Sequence, residues 1–405
     1  MKKGWEIKTI GDVCKVIAGQ SPEGKFYNDN GNGMPFYQGK KEYGEKYIGE
    51  PTTWTTKVTK EAEANDILMS VRAPVGPINF TTQKICIGRG LAAIRASKLI
   101  DKEFLFNFLL KHENEIVGNT DAVFNSINKA QIEAIEIPLP PLPEQQRIVA
   151  ILDEAFAAIA KAKANAEQNL KNAKELFESY LQGVFENGKE KWEEKLLDEV
   201  CEFRNGAAHE RHIDEDGKYI LVNSKFISAD GEKFKRTNSA LAPLYVNDIA
   251  FVMSDVPNGK ALAKCFLVDE NDTYTLNQRI GAIKPIAFVP EFLVYQLNRN
   301  KYLLSFNNGE NQTNLRKGDI LKCPLWVPAK EDQQAIVRQL DALRAETQKL
   351  EAVYQKKVAD LEELKKSILQ KAFAGELRSP EGAEYTNDVA TPIAKKKTIT
   401  NPERA

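Results

Sequence analysis

Apolar residues recur at alternating steps of three and four along two long stretches, and the rest of the chain is arranged around them. Between Pro143 and Gly183 the sequence has no Gly or Pro, and Ile148, Leu152, Ile159, Leu170 and Leu176 fall on one stripe. Between Glu331 and Gly375 the same holds, with Ile336, Leu340, Leu343, Leu350, Leu361, Leu364 and Ile368 on the stripe. That period is the seam of a coiled coil. A helix of about 40 residues reaches roughly 60 Å and cannot bury its stripe against itself. The two helices are therefore expected to pack on each other. Phe156, Phe177, Phe185 and Phe373 fall beside the stripe and are expected on the outward face. There they either meet partner helices, the favoured reading, or broaden the seam.

The two stretches are copies. Gln145-Gln146-x-Ile148-Val149 recurs as Gln333-Gln334-x-Ile336-Val337, and the segments in front of them match as well. Trp5 through Val13-Cys14 is echoed by Trp192 through Val200-Cys201, Asn65-Asp66-Ile67 by Asn247-Asp248-Ile249, and Glu103-Phe104-Leu105 by Glu291-Phe292-Leu293. Strands are predicted over 66–72 and 92–95, and a helix over Lys102–Lys111 with Phe104, Leu105, Phe108 and Leu109 on one face. The proline-rich strap before Pro143 launches the first long helix, and Pro324-Leu325-Trp326-Val327-Pro328 stands in its place before the second. The chain reads as an α+β tandem duplication. Its expected parts are a mixed domain over 1–142, a helix over 143–186, a second mixed domain over 187–328, a helix over 329–377 and a mobile polar tail over 378–405. The loops between the shared anchors do not repeat, which suggests two binding surfaces tuned to different targets.

Composition narrows the function less than the repeat does. The chain has 405 residues, 42% hydrophobic and 28% charged, with a formal net charge of −1, so any basic surface is local and offset elsewhere. The five cysteines, Cys14, Cys86, Cys201, Cys265 and Cys323, lack metal-ligand spacing and read as reduced thiols of a cytoplasmic protein. The N-terminus has no apolar core of a signal peptide, and no run reaches the ~18 residues of a membrane span. Neither GxGxxG nor GxxxxGK[ST] occurs. Gly31-Asn32-Gly33 and Gly88-Arg89-Gly90 read as turns. His209-x-x-His212 is a weak metal pattern, and a solvated or ligand-facing loop is the better reading. A chain this long without catalytic chemistry points to recognition or assembly.

Two divergent domains, each followed by a long helix that opens PEQQ or EDQQ, resemble the specificity subunit of type I restriction-modification systems. The most specific marks are Pro138 through Ile148, the tract Asp66 through Gly76, and the ending Gln370 through Leu377. The second strap departs from the pattern, with Ala329-Lys330-Glu331-Asp332 where the first copy has Leu142-Pro143-Glu144. The resemblance implies two target-recognition domains, each reading half of a split site on double-stranded DNA, with the long helices antiparallel as a spacer. It implies a non-catalytic chain that recruits two methyltransferase subunits and restriction subunits. S-adenosylmethionine and ATP are then expected on those partners and no cofactor on this chain. The rival reading is a coiled-coil adaptor with two protein-binding domains.

Sequence is read by side chains that match base edges, Arg or Lys to guanine and Asn or Gln to adenine, and such residues concentrate in the loops. Candidates in the first domain are Gln20, Ser21, Lys25, Gln38, Lys40, Lys41, Arg72, Arg89, Asn125 and Asn128. In the second they are Arg204, Asn205, His209, Arg211, Asn223, Lys225, Arg279, Gln312, Asn314 and Arg316. The lysines are expected on phosphate, and the Arg, Asn and Gln side chains on bases.

Overall fold

A computed structural model describes residues 4–113, 126–209, 211–255, 260–307 and 313–377. The tail over 378–405 lies outside the described residues. The first domain contributes β1 (Glu6–Thr9), β2 (Cys14–Ala18), β3 (Met34–Tyr37), β4 (Ile67–Ser70), β5 (Ile78–Phe80), β6 (Ile85–Ile87), β7 (Leu91–Ala96), α1 (Lys102–His112) and β8 (Glu136–Leu139). The helix α2 (Leu142–Gly188) follows. The second domain contributes β9 (Glu193–Leu196), β10 (Cys201–Asn205), β11 (Tyr219–Val222), β12 (Ile249–Val252), β13 (Cys265–Leu267), β14 (Tyr274–Leu276), β15 (Ile280–Pro285), α3 (Pro290–Leu297) and β16 (Pro324–Val327). The helix α4 (Lys330–Ala374) follows.

The chain forms two compact units, and each long helix is shared between them. The unit over 1–164 and 357–405 has an antiparallel sheet in the order β2-β7-β4-β5, while β1 pairs β8. Its core joins Ile67, Met69, Phe80, Ile94, Phe104 and Phe108 to Ile148 and Leu152 of α2 and to Leu369, Ala372 and Phe373 of α4. The unit over 165–356 repeats the plan, with β10-β15-β12-β13 and the pair β9–β16. There Ile249, Phe251, Ile283, Phe292 and Leu293 pack with Phe185 of α2 and with Ile336 and Val337 of α4. Each domain core is thus completed by one long helix as it starts and the other as it ends. Within each unit the helices run antiparallel: Arg147 and Lys163 meet the Leu377 carbonyl and Glu362, and Tyr180 meets Gln339.

Burial along the helices corrects the predicted seam at three leucines. Ile148, Leu152, Ile159 and Leu340 are buried, and Leu170, Ile336, Leu343, Leu361 and Ile368 are partly so. Leu176, Leu350 and Leu364 are 49%, 42% and 46% exposed. The seam steps by four after Ala173, Thr347 and Leu361, to Phe177, Glu351 and Lys365, all partly buried. One residue turns a helix by about 100°, which carries each of the three leucines off the seam. Long charged side chains lay their apolar stems along such surface while the head stays in water, and the Lys365 ammonium lies 5.2 Å from the centre of the Phe156 ring. The four phenylalanines expected outward face inward instead. Phe373 packs on Phe104 and Phe108, Phe177 on Tyr295, and Phe185 on Trp192 and Phe292, while Phe156 packs against the first core.

The repeated Gln-Gln has a physical reason. Gln145 is fully buried; its carbonyl accepts from Asp101 N–H at 2.7 Å, and its amide donates to the Leu99 and Pro140 carbonyls. Gln333, equally buried, accepts from Val289 N–H at 2.7 Å and donates to the Ala287 and Pro328 carbonyls. Each glutamine ties the first turn of a long helix to the strap before it and to the segment that opens α1 or α3. An amide alone offers an acceptor and two donors on one flat group, as this three-way junction requires.

Candidate nucleic-acid interface

In the first domain, several sheet strands end or begin on one side, and the candidate residues gather there. Gly19 N–H donates to the Leu91 carbonyl and Gln20 N–H to the Ile87 carbonyl, so the end of β2 is bound to the turn between β6 and β7. That turn, Gly88-Arg89-Gly90, is held from the other side by the carbonyls of Tyr37 and Gln38 at the end of β3. Val71, just past β4, donates to the Gly90 carbonyl. Ser21 locks the arrangement: its hydroxyl accepts from Arg89 N–H at 3.1 Å and donates to the Gln38 side chain at 2.9 Å. Gln20, Gln38, Lys40, Lys41, Arg72 and Arg89 are all exposed along this rim. A Cβ on Gly19 would lie 2.2 Å from the Gly88 carbonyl oxygen, so only glycine permits the approach.

The second domain builds the same rim with other side chains. Gly206 N–H donates to the Ile280 carbonyl, Ala207 N–H to the Leu276 carbonyl, Asn277 N–H to the Val222 carbonyl and Met253 N–H to the Arg279 carbonyl. The parallel pair β3–β6, with Tyr37 opposite Ile87, corresponds to β11–β14, with Val222 opposite Leu276. A Cβ on Gly206 would fall 2.0 Å from the Asn277 carbonyl oxygen. Asn205, Gln278, Arg279, Asn314 and Arg316 are exposed at this rim. Asn314 pairs with Ser254, as Ser126 bridges Arg72 in the first domain.

Several candidates serve the fold. His209 is fully buried. Its Nδ1 bonds the Ala207 carbonyl at 2.8 Å, and its Nε2 faces Leu241 N–H at 3.3 Å and the Thr275 hydroxyl at 3.1 Å. Both ring nitrogens are engaged, which removes it as a DNA or metal ligand. Arg204 forms an ion pair with the buried Asp248 and donates to the Pro243 carbonyl at 3.2 Å. Asn128 and Asn223 cap short helices, accepting from Gln131 N–H at 3.0 Å and from Phe226 N–H at 2.9 Å; short polar side chains do this at helix starts throughout proteins. Lys25 pairs with Glu23 at 2.6 Å and, with Lys57, flanks the Phe26 ring. Lys225 and Arg211 are exposed. Asn125 and Gln312 lie outside the described residues. The cysteines are all free, and burial pushes the Cys14, Cys201 and Cys323 thiols up to about 12, far from nucleophilic use near neutral pH.

Sequence reasoning missed the buried aspartates at the other end of the same strands, just before Ile67 of β4 and Ile249 of β12. Asp66 caps its own turn through Glu63 N–H and takes both 2.8 Å bonds of Arg95. Asp248 likewise accepts from Tyr245 N–H and pairs with Arg204, there through one carboxylate oxygen. The repeated Asn-Asp was the signal, since Asn65 and Asn247 both hold positive φ, 70° and 73°.

Comparisons with known proteins agree with this duplication. The family described as "Type I restriction modification DNA specificity domain" matches residues 2–171 and 189–359. The MjaVIII specificity subunit of Methanocaldococcus jannaschii is 24% identical over 92% of this chain and 93% of its own length. The MjaX specificity subunit of the same organism is 42% identical, with 42% of this chain matching 40% of that protein. Among solved structures, a chain from a type I R-M system superposes with a TM-score of 0.78 at 18% identity, covering 93% of this chain and 99% of that one. The HsdS subunit from Thermoanaerobacter tengcongensis gives 0.58 at 19% identity, covering 93% and 98%. At such identities these two speak for the fold.

Proposed function

The chain belongs to the type I restriction modification DNA specificity family, and from that premise we propose that it reads a split site on double-stranded DNA, one half with each domain. The observation that carries this reading is the pair of equivalent rims, built on one hydrogen-bond plan and edged with Arg, Lys, Asn and Gln. Phosphate contacts from lysines such as Lys40 and Lys41 set affinity and register, while Arg and amide side chains specify bases. The antiparallel helices then set the gap between the half-sites. The chain itself is non-catalytic in this reading and acts in the cytoplasm. It brings two methyltransferase subunits and the restriction subunits to the DNA, and S-adenosylmethionine and ATP bind on those partners. No helix among the described residues is long and apolar enough to cross a membrane.

The test is methylation mapping of DNA from cells that co-express this chain with its neighbouring methyltransferase subunit. A new motif of two short half-sites around an unspecified gap is expected. If an active methyltransferase gave no new motif, and binding to DNA showed no fall with rising salt, the adaptor reading would replace this one.

A further inference from the structure

We propose that the turn between β6 and β7 in the first domain, and between β14 and β15 in the second, is the principal base-reading element of each domain. Its tip side chains, Arg89 in one and Gln278-Arg279 in the other, set which base is read. The inference rests on the DNA-reading function above and assigns it to particular atoms.

Rigidity is the first support. Leu91 N–H closes the first turn on the Gly88 carbonyl, and Ile280 N–H closes the second on the Asn277 carbonyl, both at 3.0 Å. Each turn is bonded to the ends of three other strands, through Gly19, Gln20, Tyr37 and Val71 in the first and the equivalent Gly206, Ala207, Val222 and Met253 in the second. Gly19 and Gly206 let the neighbouring strand lie directly against the turn carbonyl. A reading group must hold its place to within a fraction of an ångström for bidentate hydrogen bonding to discriminate bases. In the first turn even the tip amide is committed, since Arg89 N–H donates to Ser21 Oγ.

Divergence is the second. All the backbone bonds of the first turn but one, Gly90 N–H to the Gln38 carbonyl, recur in the second, and the registers β3–β6 and β11–β14 align Gly88 with Asn277, Arg89 with Gln278 and Gly90 with Arg279. A purely structural turn would be expected to keep its glycines. Here the frame is kept and the tip is exchanged, from an arginine between glycines to an Asn-Gln-Arg run. The exchanged groups are those that recognise guanine and adenine through the major groove. The tips are also exposed: Arg89, Gln278 and Arg279 all lie at the surface.

The test uses the full chain assembled with its methyltransferase subunits and a pool of duplexes randomised in one half-site at a time. Arg89→Gln should change or relax the preferred base at one position of one half-site, with the gap and the other half unchanged. Arg89→Lys, which keeps the charge but loses the planar fork, should relax the same position. Gln278→Ala together with Arg279→Ala should act on the other half alone. Because these side chains are exposed, the melting temperature should stay as in the unsubstituted chain. The proposal is overturned if Arg89→Gln leaves every base preference intact, or if it weakens all sequences equally, as loss of a phosphate contact does. Failure of the underlying reading looks different: the unsubstituted complex would then select no split motif at all.

Discussion

The two domains share a backbone and differ in what hangs on it. Both bury an aspartate two residues into the same Asn-Asp turn, yet the arginine that neutralises it comes from different strands. Arg95 stands on β7, with a bidentate grip and 29% side-chain exposure, whereas Arg204 stands on β10 at 38%. A buried carboxylate needs a partner, but the fold leaves open which neighbouring strand supplies it. The rim follows the same rule in reverse: its backbone frame is fixed and its exposed side chains are free to change. The duplication thus separates what folding requires from what recognition selects.

Removing the buried carboxylates should separate the two domains most. Asp66→Ala strips Arg95 of its buried partner, leaving it only the exposed Glu63 carboxylate at 2.9 Å, and strips Glu63 N–H of its cap, and should cost its unit about 3 kcal/mol. Asp248→Ala should cost less, about 2 kcal/mol, because Arg204 is more exposed and holds one carboxylate oxygen. Calorimetry of the full chain reads both, and equal losses would show that the route of the arginine does not matter.

The glutamine junctions come next. Gln145→Leu and Gln333→Leu keep the volume but leave one N–H and two carbonyls without partners, at about 2 kcal/mol each. Here the copies should behave alike, since their bonds match atom for atom. A large effect at one and none at the other, in thermal melts, would mean that the two helices are anchored differently.

The smallest effects separate seam from surface. Leu364→Gln and Leu176→Gln should change stability by no more than about 0.5 kcal/mol. Leu152→Ala, at a buried position of the same helical pattern, should cost about 3 kcal/mol by leaving a cavity. Chemical denaturation distinguishes them, and a costly Leu364→Gln would restore that leucine to the seam.

What could be read in advance follows from the same division. The tandem plan was legible because fold-bearing positions constrain residue type: Trp5, the buried aspartate after a positive-φ asparagine in each Asn-Asp turn, and the buried first glutamine of each Gln-Gln pair all mark places where the fold accepts few alternatives. The seam was legible to within one residue. Its step at Ala173, Thr347 and Leu361 was hidden because the seam takes Phe177, Glu351 and Lys365 where leucines stand one position earlier. The interface was legible as a set of loops and illegible as a set of roles. His209, Arg204, Asn128 and Asn223 have the chemistry of base readers, and only their partners reveal them as fold residues. Local caps and buried pairs use the same side chains as recognition does, so composition cannot tell them apart.

Two independent readers on one repeated frame should be separable by replacing residues 187–328 with the matching domain of another family member. The methylated motif of the resulting complex is then mapped. The account predicts that one half-site changes to that of the donor while the other half and the gap length stay as they were. A change in both halves, or in neither, would contradict it.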